Sequence, residues 1–295
     1  MLVGFICPDS EVIATARCLE KCRMPRRCLS EPYLRACAAE RPIGDHPSVT
    51  QLLNGTMLMY LRATVPYTAS PKSRAFAVDG TRYHAILAST VEDDAISEER
   101  FAGDLWTGQP DYLEPVEGGY CLWDFKRYGS WRVAKFVGLV AEKRDDPSGE
   151  VYAKSGSWGR AGEPKQVKVW HRNPLVADTR EVDLQLNAYR MLAEAHGLPI
   201  VDMRLQITVR DGGLAVARER GITELICVED VVRLPDDEVR GYFAAKREAL
   251  ATALADGWTR PCEPHERWDD VRCRDYCEVV TACEYGRGVL GAISQ

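Results

Sequence analysis

Trp106-Thr107-Gly108-Gln109-Pro110-Asp111-Tyr112 and Tyr120-Cys121-Leu122-Trp123-Asp124-Phe125-Lys126 are two short, apolar and aromatic runs on either side of Glu117-Gly118-Gly119. A Gly-Gly pair between such runs is a hairpin-turn composition, so the runs read as adjacent antiparallel strands. Residues two apart in a strand face the same side. Asp124 and Lys126 therefore project together, and pairing can bring Asp111 beside them. Two carboxylates and one ammonium on one surface can hold Mg²⁺ or Mn²⁺ and orient a water for hydrolysis.

Two flanking patterns extend this reading. Upstream lies Gly80-Thr81-Arg82-Tyr83-His84, and downstream Gln185-Leu186-Asn187-Ala188-Tyr189. The order His, Gly-Gln-Pro-Asp, Asp-x-Lys, Gln-x-x-x-Tyr resembles the PD-(D/E)xK nuclease superfamily in its RecB-like, CRISPR-associated iron–sulfur exonuclease branch, over roughly residues 48 to 285. The resemblance implies an α/β (α+β) chain. Its restriction-endonuclease-like core would be a mixed central sheet flanked by helices, with cysteine-rich metal modules at both termini.

It also implies a metal-dependent DNA nuclease, an exonuclease by its branch, acting in DNA repair, recombination or mobile-element and phage DNA processing. In that picture Asp111, Asp124, the backbone carbonyl of Phe125 and His84 hold Mg²⁺ or Mn²⁺, and the imidazole favours Mn²⁺. Lys126 orients the water. Glu98 or Glu99, with Glu99 the first choice, adds a carboxylate. Gln185 and Tyr189 position DNA, single-stranded DNA included.

Eleven cysteines are the second strong feature. Cys7, Cys18, Cys22 and Cys28 read C-x10-C-x3-C-x5-C, and Cys262, Cys273, Cys277 and Cys283 repeat that spacing. Arg17-Cys18 echoes Arg272-Cys273. Four thiolates with close spacings suit tetrahedral zinc or an iron–sulfur cluster better than disulfides in a reducing compartment. By resemblance the C-terminal group takes [4Fe-4S]; the N-terminal group takes Zn²⁺ or a second cluster. The family pattern is one shared cluster stapling both ends, here Cys28 or Cys37 with the last three cysteines. Two full quartets favour two self-contained sites. Cys121 and Cys227 read as buried core thiols.

A chain of 295 residues, 45% apolar and 28% charged, is ordinary for a globular protein. No run approaches a membrane span, and Leu2–Cys7 is too short for a signal core, so the expected location is cytoplasmic. A net charge of −6 excludes broad non-specific nucleic-acid affinity and confines any DNA path to a local groove. The expected domains are 1–45, a cysteine-rich metal module; 46–258, the nuclease core; and 259–295, a second cysteine-rich module. Expected helices open at Ser48 and cover 73–90, 182–195 and 236–256. Expected strands include 133–140, 203–209 and 225–228. Trp158, in a Gly-Ser loop, is a candidate for stacking on a base. Further partners expected are a helicase, a recombination or integration protein, or a second copy of the chain. Two other classes are a non-catalytic DNA-binding subunit and a zinc-module interaction protein.

Overall fold

The computed structural model describes residues 1–92, 94–157 and 159–293. Trp158 lies outside the described residues. The fold is mixed α and β, with helices and several sheets, and no described helix is long and apolar enough to cross a membrane. Two compact units divide the chain: Met1–Asp124 with Leu184–Met203 and Val231–Gln295, and Phe125–Asp183 with Arg204–Asp230. Both cysteine segments fall in the first unit.

In the first unit the motif strands form as expected. Tyr112–Val116 pairs antiparallel with Gly119–Tyr128, in the register Tyr112↔Trp123 and Leu113↔Leu122. Gly118 and Gly119 take φ of +85° and +156°, which the turn requires and a side chain resists. The short strand Ile96–Ser97 pairs on the other side of Tyr112–Val116. Leu113 and Leu122 are wholly buried, and Tyr112 and Trp123 on the opposite face are half-buried. The helix Arg180–Ala195, which lies in this unit from Leu184 on, buries Leu186, Tyr189 and Leu192 there at helical spacing. It ends at Gly197, φ +81°. Gly108 packs against this helix: a Cβ there would meet the Leu192 and Tyr189 side chains at 2.6 and 2.7 Å. The glycine of Gly-Gln-Pro-Asp is therefore a packing requirement.

The helix Val49–Leu53 starts with the Ser48/Gln51 capping box. It and the helix Thr56–Thr64 pack on the long helix Asp236–Asp256. The expected 73–90 helix spans Ala75–Ala88. At the N-terminus, Leu2–Ile6 pairs antiparallel with Val12–Ala14 and parallel with Tyr67–Ala69.

In the second unit, Leu139–Asp145 and Gln166–Arg172 form an antiparallel ribbon, and Arg204–Thr208 pairs with Ile226–Asp230. One expectation fails. Of residues 133–140 only Leu139 and Val140 are in a strand; Ser130–Phe136 is a helix, and the next strand begins at Leu139. Val133 and Phe136 are both buried, three residues apart on one helical face. The helix is capped from far along the chain: Asp211 accepts from the Ser130 N–H at 2.6 Å and from its hydroxyl at 2.7 Å. A carboxylate at the N-terminus satisfies an orphan donor and the helix dipole together.

Candidate metal site and cysteine clusters

The site in the first unit begins with the register of the motif hairpin. Asp111 is one residue beyond the pair Tyr112↔Trp123, level with Asp124. Strand alternation gives both aspartates the face of Leu113 and Leu122, the buried one. Asp124 is 0% exposed and Asp111 8%. A buried carboxylate needs polar partners. Asp124 accepts a hydrogen bond from the Gln185 side-chain amide at 3.2 Å, and the same amide donates to the Tyr189 hydroxyl at 3.1 Å. The two residues of Gln-x-x-x-Tyr thus act as one unit, a turn apart on the helix, with Asp124 as its target.

The helix Ala75–Ala88 delivers His84. Its Nδ1 lies 3.0 Å from Asp111 Oδ1 and 3.5 Å from Glu98 Oε1. Donor atoms of His84, Glu98 and Asp111 all lie within 4.8 Å of one another. One imidazole nitrogen and two carboxylate oxygens at that spread match the donor types and reach of a Mn²⁺ or Mg²⁺ site.

Of the two adjacent glutamates, the structure brings Glu98 to this group and leaves Glu99 exposed. Backbone geometry makes the choice. Glu98 has φ +53°, a left-handed conformation uncommon outside glycine. The Asp111 carbonyl accepts from the Glu98 N–H at 3.3 Å and from the Ser97 hydroxyl at 3.0 Å. Gln109 then donates to Glu98 Oε2 at 2.6 Å, while Arg100 donates to Gln109 at 3.0 Å. Sequence reasoning gave no role to Gln109 or Arg100. The chain Arg100, Gln109, Glu98 explains why a glutamine precedes Pro110-Asp111. Phe125 and Lys126 continue the Asp124 strand into the second unit, with Lys126 two residues beyond Asp124.

The C-terminal cysteines converge. Cys262, Cys273, Cys277 and Cys283 line one apolar pocket of about 320 Å³, solvent mouth included, with Leu58 and Val279. Backbone N–H groups point at three of the sulfurs: Leu58 at Cys262, Val279 at Cys277, and Gly286 at Cys283, the last at 3.5 Å. Gly55 admits Cys262, since a Cβ there would lie 2.3 Å from its sulfur. Burial pushes the Cys262 thiol up to about 11 and raises Cys273 and Cys277 as well. Among the described residues no three of these sulfurs lie within 4.8 Å of one another. All eleven cysteines are free of disulfides. Cys121 is buried and Cys227 half-buried.

No family model matches the chain, and no curated protein matches it. Among solved structures it is similar to one described as "Crystal structure of SSO0001", at 11% identity over 86% of this chain and 93% of that one, with a TM-score of 0.40. A likeness that remote carries no functional argument.

Proposed function

We propose that this chain is a metal-dependent DNA nuclease of the PD-(D/E)xK type. The observation that carries the reading is the convergence of His84, Glu98 and Asp111 donor atoms on a strand where Asp111 stands level with the buried Asp124. A hairpin aspartate facing a second aspartate, with an imidazole and a glutamate added from two other elements, supplies three or four hard and borderline donors in one place.

His84, Glu98 and Asp111, with Asp124 beside them, would hold a divalent ion. When bound, that ion supplies charge neutralisation for the scissile phosphate and a more acidic water. The chain's own groups do the positioning. Gln109 holds Glu98, and Gln185 holds Asp124, so the carboxylates are preorganised instead of collapsing on solvent. Strand alternation gives Lys126 the face of Asp124. By the resemblance, Lys126 would orient the attacking water and offset charge developing on the phosphoryl oxygens. We assign the C-terminal pocket a [4Fe-4S] cluster. Amide N–H groups aimed at three of its sulfurs suit a cluster.

The test is degradation of labelled single- and double-stranded DNA by the metal-loaded protein in Mn²⁺ or Mg²⁺. Cleavage abolished by EDTA supports the reading. No cleavage of either substrate, with every metal site filled, overturns it.

Two finer outcomes are expected. His84→Ala should raise the Mn²⁺ concentration for half-maximal activity on the order of a hundredfold, as loss of one donor does at comparable sites, with thermal stability nearly unchanged. Equal Mn²⁺ requirements would assign His84 to structure. Glu98→Gln should lower cleavage by at least tenfold at subsaturating metal, consistent with loss of a metal donor, whereas Glu99→Gln should leave it intact. Equal losses in the two variants would remove Glu98 from the donor set.

A further inference from the structure

The N-terminal cysteines lie outside the reading above. Cys7 closes the strand Leu2–Ile6 and opens a tight turn, in which Ser10 takes φ +67° and the Cys7 N–H donates to the Glu11 carbonyl at 2.8 Å. Cys18 is buried on the helix Thr15–Glu20. Cys22 follows the end of that helix. Two arginines then fold the chain back. Arg23, next to Cys22, pairs with Asp9 of the Cys7 turn. Arg27, next to Cys28, donates to the carbonyls of Cys18 and Leu19, both at 3.1 Å. The result is four thiols in one neighbourhood, with Cys22, Cys28 and Cys7 all close enough to Cys18 to interact with it electrostatically.

This arrangement repeats the C-terminal one. In each quartet the second cysteine is buried, follows an arginine and sits on a short helix, Thr15–Glu20 or Val271–Asp275. The third lies just past that helix. The fourth shortly precedes another helix, Glu31–Ala38 or Glu284–Ile293. The shared cluster is disfavoured from both sides. The C-terminal pocket is lined by four cysteines of its own. Cys37 is buried in the apolar cluster of Phe5, Ile13, Cys18 and Leu34, with its sulfur 3.5 Å from the Pro71 carbonyl.

We propose that Cys7, Cys18, Cys22 and Cys28 form a second, self-contained metal–thiolate centre, independent of the C-terminal quartet. The ligand class is a thiophilic metal, zinc or an iron–sulfur cluster. The centre supplies what the segment otherwise lacks, because its buried apolar cluster is small and metal binding adds directly to folding free energy. The proposal stands whether or not the chain cleaves DNA.

The test uses the full chain, purified without oxygen, as wild type, Cys28→Ser and Cys277→Ser. Cys28 is exposed, so its replacement disturbs no packing. Iron, zinc and acid-labile sulfide are counted per chain, with circular dichroism as the folding control. Two centres in the wild type are expected, one lost in each variant; zinc without sulfide or iron with sulfide identifies the occupant. A single centre in the wild type, or one emptied equally by either variant, overturns the proposal, as does full metal retention in Cys28→Ser. If Cys28→Ser does not fold, alkylation of the wild type decides. Cys7, Cys22 and Cys28 should resist iodoacetamide until EDTA and ferricyanide strip the metal, and immediate labelling of all three overturns the proposal.

Discussion

Asp124→Asn and Asp111→Asn are each expected to cut metal-dependent DNA cleavage by about 10³-fold or more, the size of several kcal/mol of charge stabilisation at a metal. Asparagine keeps the shape of the side chain. At position 124 it can still accept from the Gln185 amide, which lies 3.2 Å from Asp124 Oδ1. What it removes is a negative charge from a site with no solvent exposure. Holding a charged carboxylate there costs free energy that a neutral amide does not incur. The melting temperature should therefore hold or rise while activity disappears, the opposite of what a purely structural aspartate would give. Normal cleavage by Asp124→Asn would sink the site assignment. A variant that loses activity and melts well below the wild type would return Asp124 to a structural role.

Arg190→Ala is expected to lose about 2–4 kcal/mol of stability, mainly from truncating a wholly buried side chain, since its carboxylate partners Glu194 and Asp236 reach solvent. Arg190 is wholly buried on the helix Arg180–Ala195. Its guanidinium donates to Glu194 at 2.8 Å, to Asp236 at 2.5 Å and to the Leu234 carbonyl at 3.4 Å. Asn187, one turn earlier, donates to the Val232 carbonyl at 2.8 Å and accepts from the Leu234 N–H at 3.0 Å. Together they fasten the helix that carries Gln185 and Tyr189 to the segment entering the long helix Asp236–Asp256. Truncation leaves a cavity, and carboxylate and backbone groups lose their donor. Arg190→Met keeps most of the volume and should cost clearly less. Denaturant unfolding checks both, and a loss under 1 kcal/mol in Arg190→Ala would mean that the network contributes little.

The expectations that held rest on short-range rules. The motif hairpin follows from a Gly-Gly turn between aromatic runs, and its register alone sets Asp111 level with Asp124. The helix Asp236–Asp256 and the Ser48 cap follow from periodicity and capping chemistry. Where reading failed, two local rules gave equal scores. Residues 133–140 contain Val133, Phe136, Val137 and Val140, which suit a strand by residue type and a helix by spacing. Asp211, 81 residues on, decided for the helix over Ser130–Phe136.

Glu98 and Glu99 are likewise the same residue type side by side, and only a left-handed backbone at Glu98, held by the Asp111 carbonyl and Gln109, sends one of them toward His84. The sequence by itself determined the residue types of the site, the pairing of the aspartates and the existence of two cysteine quartets, because these depend on spacing along one or two elements. The tertiary structure decided which glutamate joins His84, what Gln109 and Gln185 hold, and that Cys262 belongs with Cys273, Cys277 and Cys283. Those choices depend on elements far apart in the chain. Cys262 fits its pocket because Gly55, more than two hundred residues earlier, carries no side chain that would occupy the sulfur's place.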